Sequence, residues 1–363
     1  MRYLFSLSIL FSLGILNIQA QESAKIQKNI PAYYSQIDFA ASSADLFTKL
    51  GDLVKTTHTD LLSYTPEVWN ALKVSDLDPS DSSKRNILLI YGYNDTDADL
   101  QNDRTRSKDS NCTSSTGCQG KWNREHVYPK SLATPRLTTS YPSAGTDAHS
   151  LRPADTEMNS SRSNRKFTNG SGNSGIVSGG HWYPGDEWKG DVARMMMYMY
   201  LRYPTQTPAK GVAISTYTNH QSMPDIFLQW NVEDPVSDFE KQRNDHIASL
   251  QGNRNPFIDN PYIATLLWGG AKAEDTFDLS SVLGVEEQST ALFFVPNPVK
   301  EAINYDVTQY EFERIYITDL KGALVTEDED VHDGRVSVPE KSGVYIAVFI
   351  AKNSVHTKKI IVN

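Results

Sequence analysis

Trp122-Asn-Arg-Glu-His-Val-Tyr-Pro129 is followed by Asp147-Ala-His-Ser-Leu-Arg-Pro-Ala-Asp155 and then by Asn159-Ser-Ser-Arg-Ser-Asn164. These stretches gather an imidazole that titrates near neutral pH, hard oxygen donors suited to a divalent cation, and guanidinium groups suited to phosphate. Cleavage of a nucleic-acid backbone draws on all three, so the segment reads as a phosphodiester-cleaving site. Its pattern is strand, loop, strand, helix. A strand runs through Glu125 and Val127 and stops at Pro129, and Pro153 then permits a helix start with Asp155 in the first turn. Asn159 and Arg162 fall three apart on one face of that helix.

Charge is partitioned around this segment. The chain carries a formal net charge of −9, which does not by itself suggest a polyanionic partner. Lys121 to Lys166 holds eight basic against four acidic residues, whereas Glu286 to Asn363 holds thirteen acidic against eight basic. A basic segment in an acidic protein fits local phosphate contact better than long-range capture, and the acidic remainder favours solubility.

At 363 residues the chain is long for one domain. Met1-Arg2 is a short basic start, Tyr3 to Ile18 is almost wholly apolar or small, and Ala20 ends the run before Gln21, as in a secretory signal peptide over 1–20. A membrane anchor is the competing reading, but the run is short for a span and no later segment reaches spanning length, so no stable membrane insertion is expected. Cys112 and Cys118 lie in a Ser/Thr-rich loop; in an exported protein they are expected to form one local disulfide, with half a zinc site as the competing reading.

Leu46, Leu50 and Leu53 are spaced for an amphipathic helix over 43–56, and Ile87 to Tyr93 is a short apolar run expected to be a buried strand. Val192 to Tyr200 is apolar nearly all round and expected to be a core helix, and Ser237-Asp-Phe-Glu240 has capping-box spacing for a helix ending near Gly252. From Phe293 onward, short β-rich runs alternate with Gly, Asp, Asn and Pro turns, as in a small all-β sandwich. The expected organisation is a signal over 1–20, a front domain over 21–275, a linker over 276–291 and a C-terminal domain over 292–363.

Residues from about 32 to 270 resemble the endonuclease I family of secreted bacterial nucleases. The matching stretches are Asn123-Arg-Glu-His-Val-Tyr-Pro129, Asp147-Ala-His149 with Leu151-Arg-Pro153, Asn159 with Arg162-Ser-Asn164, Gly190-Asp-Val-Ala-Arg194 and Gly252-Asn-Arg-Asn-Pro-Phe257. The resemblance implies an α+β fold in which a ββα-metal (His-Me finger) core lies within a mainly helical domain. It puts His126 in the role of general base and makes Glu125 and Asn159 the metal ligands, with Arg136 as the candidate for the family's product-phosphate arginine. Where relatives often carry Asn after the second His, this chain has Ser150. The tail, from Phe293-Phe-Val-Pro-Asn-Pro298 to Lys358-Lys-Ile-Ile-Val362, resembles the C-terminal sorting domain of type IX secretion. That likeness implies export to the outside or the cell surface, with the type IX machinery as partner.

A histidine with an ordinary pKa near ~6.5 can take a proton from water at neutral pH while a metal carries developing charge. Glu125 and Asn159 offer one carboxylate and one amide oxygen to Mg2+, with Ca2+ or Mn2+ as other candidates, leaving positions for water and phosphate. Arg124, Arg136, Arg152 and Arg162 are the candidate phosphate contacts, and His149 is read as a structural brace for the second strand. Together these imply a secreted metal-dependent endonuclease of low sequence specificity that cleaves DNA, RNA or both and leaves 5′ phosphates. Two alternatives stand beside it. A zinc-dependent phosphoesterase on small esters would need His149 or His181 as ligands, and a non-catalytic surface protein could bind nucleic acid through the same arginines.

Overall fold

A computed structural model describes residues 30–114, 116–282, 298–305, 312–320, 322–327, 331–332, 334–351 and 354–363. The expected signal peptide over 1–20 lies outside them, as does most of the expected linker. The chain divides into two compact units between residues 282 and 283.

In the front unit, helix α1 (Ser43–Thr57) starts where the Ser42 side chain accepts from the Asp45 amide at 3.2 Å. It buries Leu46, Leu50 and Val54, so the inward stripe ends on Val54 rather than on Leu53. Helix α2 (Trp69–Ser75) follows. Of the expected 87–93 strand only Ile87 and Leu88 are strand, within β1 (Asn86–Leu88), which pairs with β2 (Thr105–Ser107). Beyond it the chain leaves the ladder: the Ile90 amide donates to the Pro153 carbonyl at 2.9 Å, and Tyr91 adopts φ 73°. This detour carries Tyr91 to Glu125, where its hydroxyl bonds the carboxylate.

Strand β3 (Trp122–His126) pairs antiparallel with β4 (Leu151–Asp155), with Glu125 opposite Arg152 and His126 opposite Leu151. Helix α3 (Thr156–Arg162) follows β4 without a break. Pro153 is therefore a strand residue, opposite Arg124, rather than a helix start. Asp155 is the cap: its carboxylate accepts from the Glu157 and Met158 amides at 2.7 and 3.1 Å, and Arg106 holds its other oxygen at 2.5 Å. A disulfide joins Cys112 and Cys118, with Cα atoms 5.4 Å apart. Its loop is sewn to the start of both elements, the Cys112 amide donating to the Trp122 carbonyl at 2.7 Å and the Thr156 hydroxyl to the Cys118 carbonyl at 2.7 Å.

The hairpin of β5 (Gly175–Val177) and β6 (His181–Tyr183) precedes α4 (Lys189–Arg202), whose residues from Gly190 to Met199 are all buried. Helices α5 (Asp225–Glu233), α6 (Asp238–Gln251), α7 (Pro256–Asp259) and α8 (Tyr262–Trp268) complete the shell. The capping box at the start of α6 is made by Ser237 and Glu240, and Gly252 ends the helix at φ 89°, where a side chain would be strained. Residues 276–282, expected as linker, belong to this unit. Phe277 packs on Tyr34 and Phe39 at ring separations of 5.4 and 6.2 Å, and Leu279 is buried at the start of α9 (Leu279–Val282). Two apolar side chains in a polar stretch outweigh its linker-like composition.

The C-terminal unit is all β among its described residues. One small sheet pairs β7 (Ala302–Asn304) with β10 (Arg335–Ser337). The larger sheet has the order β12-β11-β8-β9, from β8 (Phe312–Thr318), β9 (Leu324–Glu327), β11 (Gly343–Ala351) and β12 (Ser354–Val362), with antiparallel neighbours. Ile303 and Val336 of the first and Ile315, Ile317, Ala347 and Ile360 of the second fill one core.

Candidate active site

The end of β3, the face of α3 and the turn after Pro129 enclose a cleft of about 330 Å³. Glu125, His126 and Asn159 line it, as do Arg124, Lys130 and Arg136. The three residues expected to carry the chemistry and two of the four expected phosphate contacts thus share one cavity.

His126 is buried, and its Nε2 lies 2.8 Å from the Gly145 carbonyl. A carbonyl can only accept, so Nε2 carries the proton and Nδ1 keeps the lone pair. Burial drives the imidazole pKa down to about 3, against the opposing pull of the Gly145 bond, and nearby Lys130 and Arg124 push the same way as burial. The ring is therefore neutral, with Nδ1 unprotonated. Gly145 could hardly be another residue, because a Cβ there would sit 2.1 Å from the Thr138 carbonyl. The Tyr64 ring packs against the imidazole at 5.7 Å and a 30° tilt.

Glu125 is also buried, and burial raises its carboxyl to about 7 in spite of Arg162 and Tyr91, which favour the ionised form. The Tyr91 hydroxyl and Arg162 Nη1 both donate to Oε1, at 3.1 and 2.9 Å. Asn159 is half-buried, and its Nδ2 donates to Asn123 Oδ1 at 2.6 Å. Fixing the amide nitrogen on Asn123 leaves Asn159 Oδ1 as its unused oxygen. A carboxylate and an amide oxygen on one cleft wall are hard donors that suit Mg2+ or Ca2+ and would leave positions for water and phosphate, so these residues fit a divalent cation. Among the described residues no group of three or more His, Cys, Asp or Glu is placed to hold a metal.

Two expected phosphate contacts are buried and ion-paired. Arg162 is fully buried; besides Glu125 it donates to the His126 and Val127 carbonyls at 3.0 and 2.7 Å and stacks on Phe167 at 4.6 Å. It clamps α3 to the end of β3. Arg152 is 1% exposed and bound to Asp76 at 2.7 Å and Asp191 at 2.8 Å, between the rings of Trp188 and Phe239. With Arg243 on Asp76 and Arg194 on Glu240, it ties β4 to α2, α4 and α6. Neither guanidinium can reach a phosphate without abandoning a buried carboxylate.

Arg124 lines the cleft but is partly engaged. Its Nη1 donates to the Tyr64 carbonyl and, at 3.1 Å, to Thr65 Oγ1, while the guanidinium lies 3.4 Å from the Tyr64 ring centre and 4.1 Å from that of Trp69. Arg136 is exposed. Burial lowers the Lys130 pKa, and repulsion from Arg136 and Arg124 lowers it further. Among the described residues none of these three cations is ion-paired, and they stand along the same cleft as the Glu125 carboxyl.

His149 stands behind the strand. It is buried, with Nε2 3.2 Å from the Asn253 carbonyl and its ring 4.6 Å from Tyr198, and it does not line the cleft. His181, on β6, is also outside the cleft lining, so the two imidazoles a zinc phosphoesterase would recruit are not beside His126. Residues that sequence reasoning passed over are Tyr91, Asn123, Gly145, Lys130 and the pair Ser163-Asn164. Asn123, Lys130, Ser163 and Asn164 stand within or beside the motif stretches, whereas Tyr91 and Gly145 act through contacts 34 and 19 residues away along the chain. Ser163, which lines the cleft, adopts φ 54° and ψ −125°, a conformation unusual for a residue with a side chain.

Several extracellular nucleases resemble this chain in sequence. The chain is 41% identical over 239 residues to an extracellular ribonuclease of Bacillus subtilis (strain 168), covering 61% of this chain and 75% of the relative. An extracellular ribonuclease of Bacillus amyloliquefaciens is 41% identical over 223 residues, covering 58% and 70%. An extracellular deoxyribonuclease of Aeromonas hydrophila is 29% identical over 129 residues, which is 31% of this chain and 49% of that relative. Residues 294–363 match the secretion system C-terminal sorting domain, which marks the protein as secreted or surface-held, and no described helix is long and apolar enough to cross a membrane. Residues 42–262, more than half of the chain, match the family profile of Endonuclease I, and the chain therefore belongs to that family of hydrolytic nucleases.

Proposed function

We propose that this protein is a metal-dependent endonuclease of low sequence specificity, acting on DNA, RNA or both and leaving 5′ phosphates. In this reading β3, β4 and α3 form a ββα-metal core, and the front domain runs from Gln21, after signal removal, to Val282. The observation that carries the reading is the tautomer of His126: the Gly145 carbonyl holds the proton on Nε2 and leaves Nδ1 free as a base. Nδ1 takes a proton from water, the water oxygen bonds to phosphorus, and the bond from phosphorus to the 3′ oxygen breaks. The departing 3′ oxygen takes a proton from solvent and His126 returns its own, so one fragment keeps the 5′ phosphate and the other a 3′ hydroxyl. Because the nucleophile is water rather than a ribose 2′-hydroxyl, both nucleic acids qualify as substrates.

A divalent cation, Mg2+ in the first instance, held by Glu125 and Asn159 would supply positive charge for the five-coordinate transition state and the leaving oxygen. Tyr91 and Arg162 orient the Glu125 carboxylate, and Asn123 orients the Asn159 amide. Arg124, Lys130 and Arg136 hold the phosphates that flank the scissile bond. The C-terminal domain serves the type IX machinery rather than substrate.

The test is cleavage of plasmid and of RNA by the purified chain, first with chelator and then with Mg2+, Ca2+, Mn2+ or Zn2+, with analysis of the product ends. His126→Ala should lose at least about a hundredfold in rate while folding normally. Activity undiminished by chelator, or 3′-phosphate ends, would overturn the mechanism.

A further inference from the structure

A second cavity in the front unit, about 430 Å³ in volume, lies between α1 and the segment that ends α4, and it shares no lining residue with the catalytic cleft. Its size falls in the range of small-molecule sites. Two cations line it. Arg202, the last residue of α4, has its Nε buried with no hydrogen-bond partner. Lys55 projects from α1, and no carboxylate lies within ion-pair distance of either among the described residues. A buried guanidinium donor without an acceptor is costly, and an anion in the cavity would relieve it.

The rest of the lining narrows the kind of anion. Arg202 stacks on the Tyr203 ring at 4.5 Å, and half-buried Phe47 supplies a second aromatic wall, itself braced by Tyr200 at 5.2 Å. Aromatic walls beside paired cations suit a flat base joined to a phosphate better than a bare inorganic ion. Asp52 also lines the cavity and offers an acceptor for an amino or hydroxyl group. One lining residue is tied to the chain that leads into the cleft. Gln206 lines the cavity, donates Nε2 to the Pro135 carbonyl at 3.0 Å and accepts from the Thr134 amide at 3.0 Å. The next residue, Arg136, lines the cleft.

We infer that this cavity is an accessory subsite for a nucleoside phosphate, with the phosphate on Arg202 and Lys55 and the base against Phe47. The inference deepens the nuclease reading but does not depend on the chemistry assigned to His126. The ligand is either a nucleotide of the bound strand, beyond the scissile bond, or a released product.

Calorimetric titration of a 5′-mononucleotide into the full-length protein, with chelator present so that no turnover occurs, tests the site directly. Arg202→Gln should weaken binding by roughly tenfold or more, as expected for loss of a charge-assisted bond. Lys55→Ala should weaken it less, and Thr48→Trp, which fills the cavity from an exposed position on α1, should abolish it. Arg136→Ala, which alters only the cleft, should remove any binding at the cleft and leave the Arg202-dependent binding in place. Tryptophan fluorescence confirms that each variant is folded. Binding that survives both Arg202→Gln and Thr48→Trp but fails in Arg136→Ala would overturn the inference, as would no binding to the wild-type protein. Kinetics then separate the two sources. A KM raised by Arg202→Gln for long but not short oligonucleotides assigns the site to the bound strand, and relief of product inhibition without a KM change assigns it to product.

Discussion

Arg162→Met separates the two roles open to that arginine. In the sequence it is a candidate phosphate contact, and in the structure it is a fully buried clamp. The substitution keeps length and apolar volume but removes the donors to Glu125 Oε1 and to the His126 and Val127 carbonyls. Glu125 is then left buried with Tyr91 as its remaining side-chain donor. Removing one partner of a buried ion pair costs about 3–5 kcal/mol, since the other charge stays desolvated and unpaired. At roughly 2–4 °C per kcal/mol for a unit of this size, the front unit should melt about 6–20 °C lower. Tryptophan fluorescence is the appropriate probe, because Trp69, Trp122, Trp182, Trp188, Trp230 and Trp268 all precede residue 283 and report on the front unit alone. Loss of activity should follow the loss of fold and appear chiefly in kcat. An unchanged melting curve with a raised KM would refute the clamp and return Arg162 to the substrate.

Gly145→Ala should lower kcat by roughly tenfold or more with KM little changed, because its Cβ would displace the carbonyl that orients His126; equal kcat in the folded variant would show that this bond does not set the base. Asn159→Ala should shift the Mg2+ activation curve to higher concentration and partly recover at saturation, so an unshifted curve would exclude Asn159 as a ligand. Burial holds the His149 pKa at about 4, below its unfolded value of 6.5, so between those limits the unfolded chain binds more protons. Stability should therefore fall as pH drops from 6.5 toward 4, by up to about 1.4 kcal/mol per pH unit for this one group. Chemical denaturation across that range should show the slope, and His149→Gln should flatten it. Deleting residues 286–363 should abolish export yet leave the purified front unit active, and a folded truncation that cannot cleave would place the tail in the active site.

The features legible in the sequence alone are those set by neighbours a few residues apart. The Arg-Glu-His stretch announces the strand that lines the cleft because its residue types are chemically specific at that spacing. Ser237 and Glu240 announce a helix start because a capping box closes within one turn, and the alternating tail announces β structure because its apolar period is that of a strand. Even the acidic composition of the tail could be separated from the basic segment by counting. These patterns were sufficient for the broad fold, the secreted character and the hydrolytic class.

The tertiary structure decided which like residues do unlike things. Arg124, Arg136, Arg152 and Arg162 are equivalent as letters, yet Arg136 is exposed at the cleft, Arg124 lies stacked beside it, and the other two are spent on buried carboxylates. Asp76, the partner of Arg152, is on α2's C-terminal side, far back in the chain, and no local pattern links the two. The proton on His126 is placed by Gly145, and Glu125 is held by Tyr91, whose departure from the expected strand no apolar period could signal. The physical reason is burial: whether a charge meets water, a phosphate or a carboxylate depends on which distant segments close over it, and that follows from packing of the whole unit rather than from spacing along the chain.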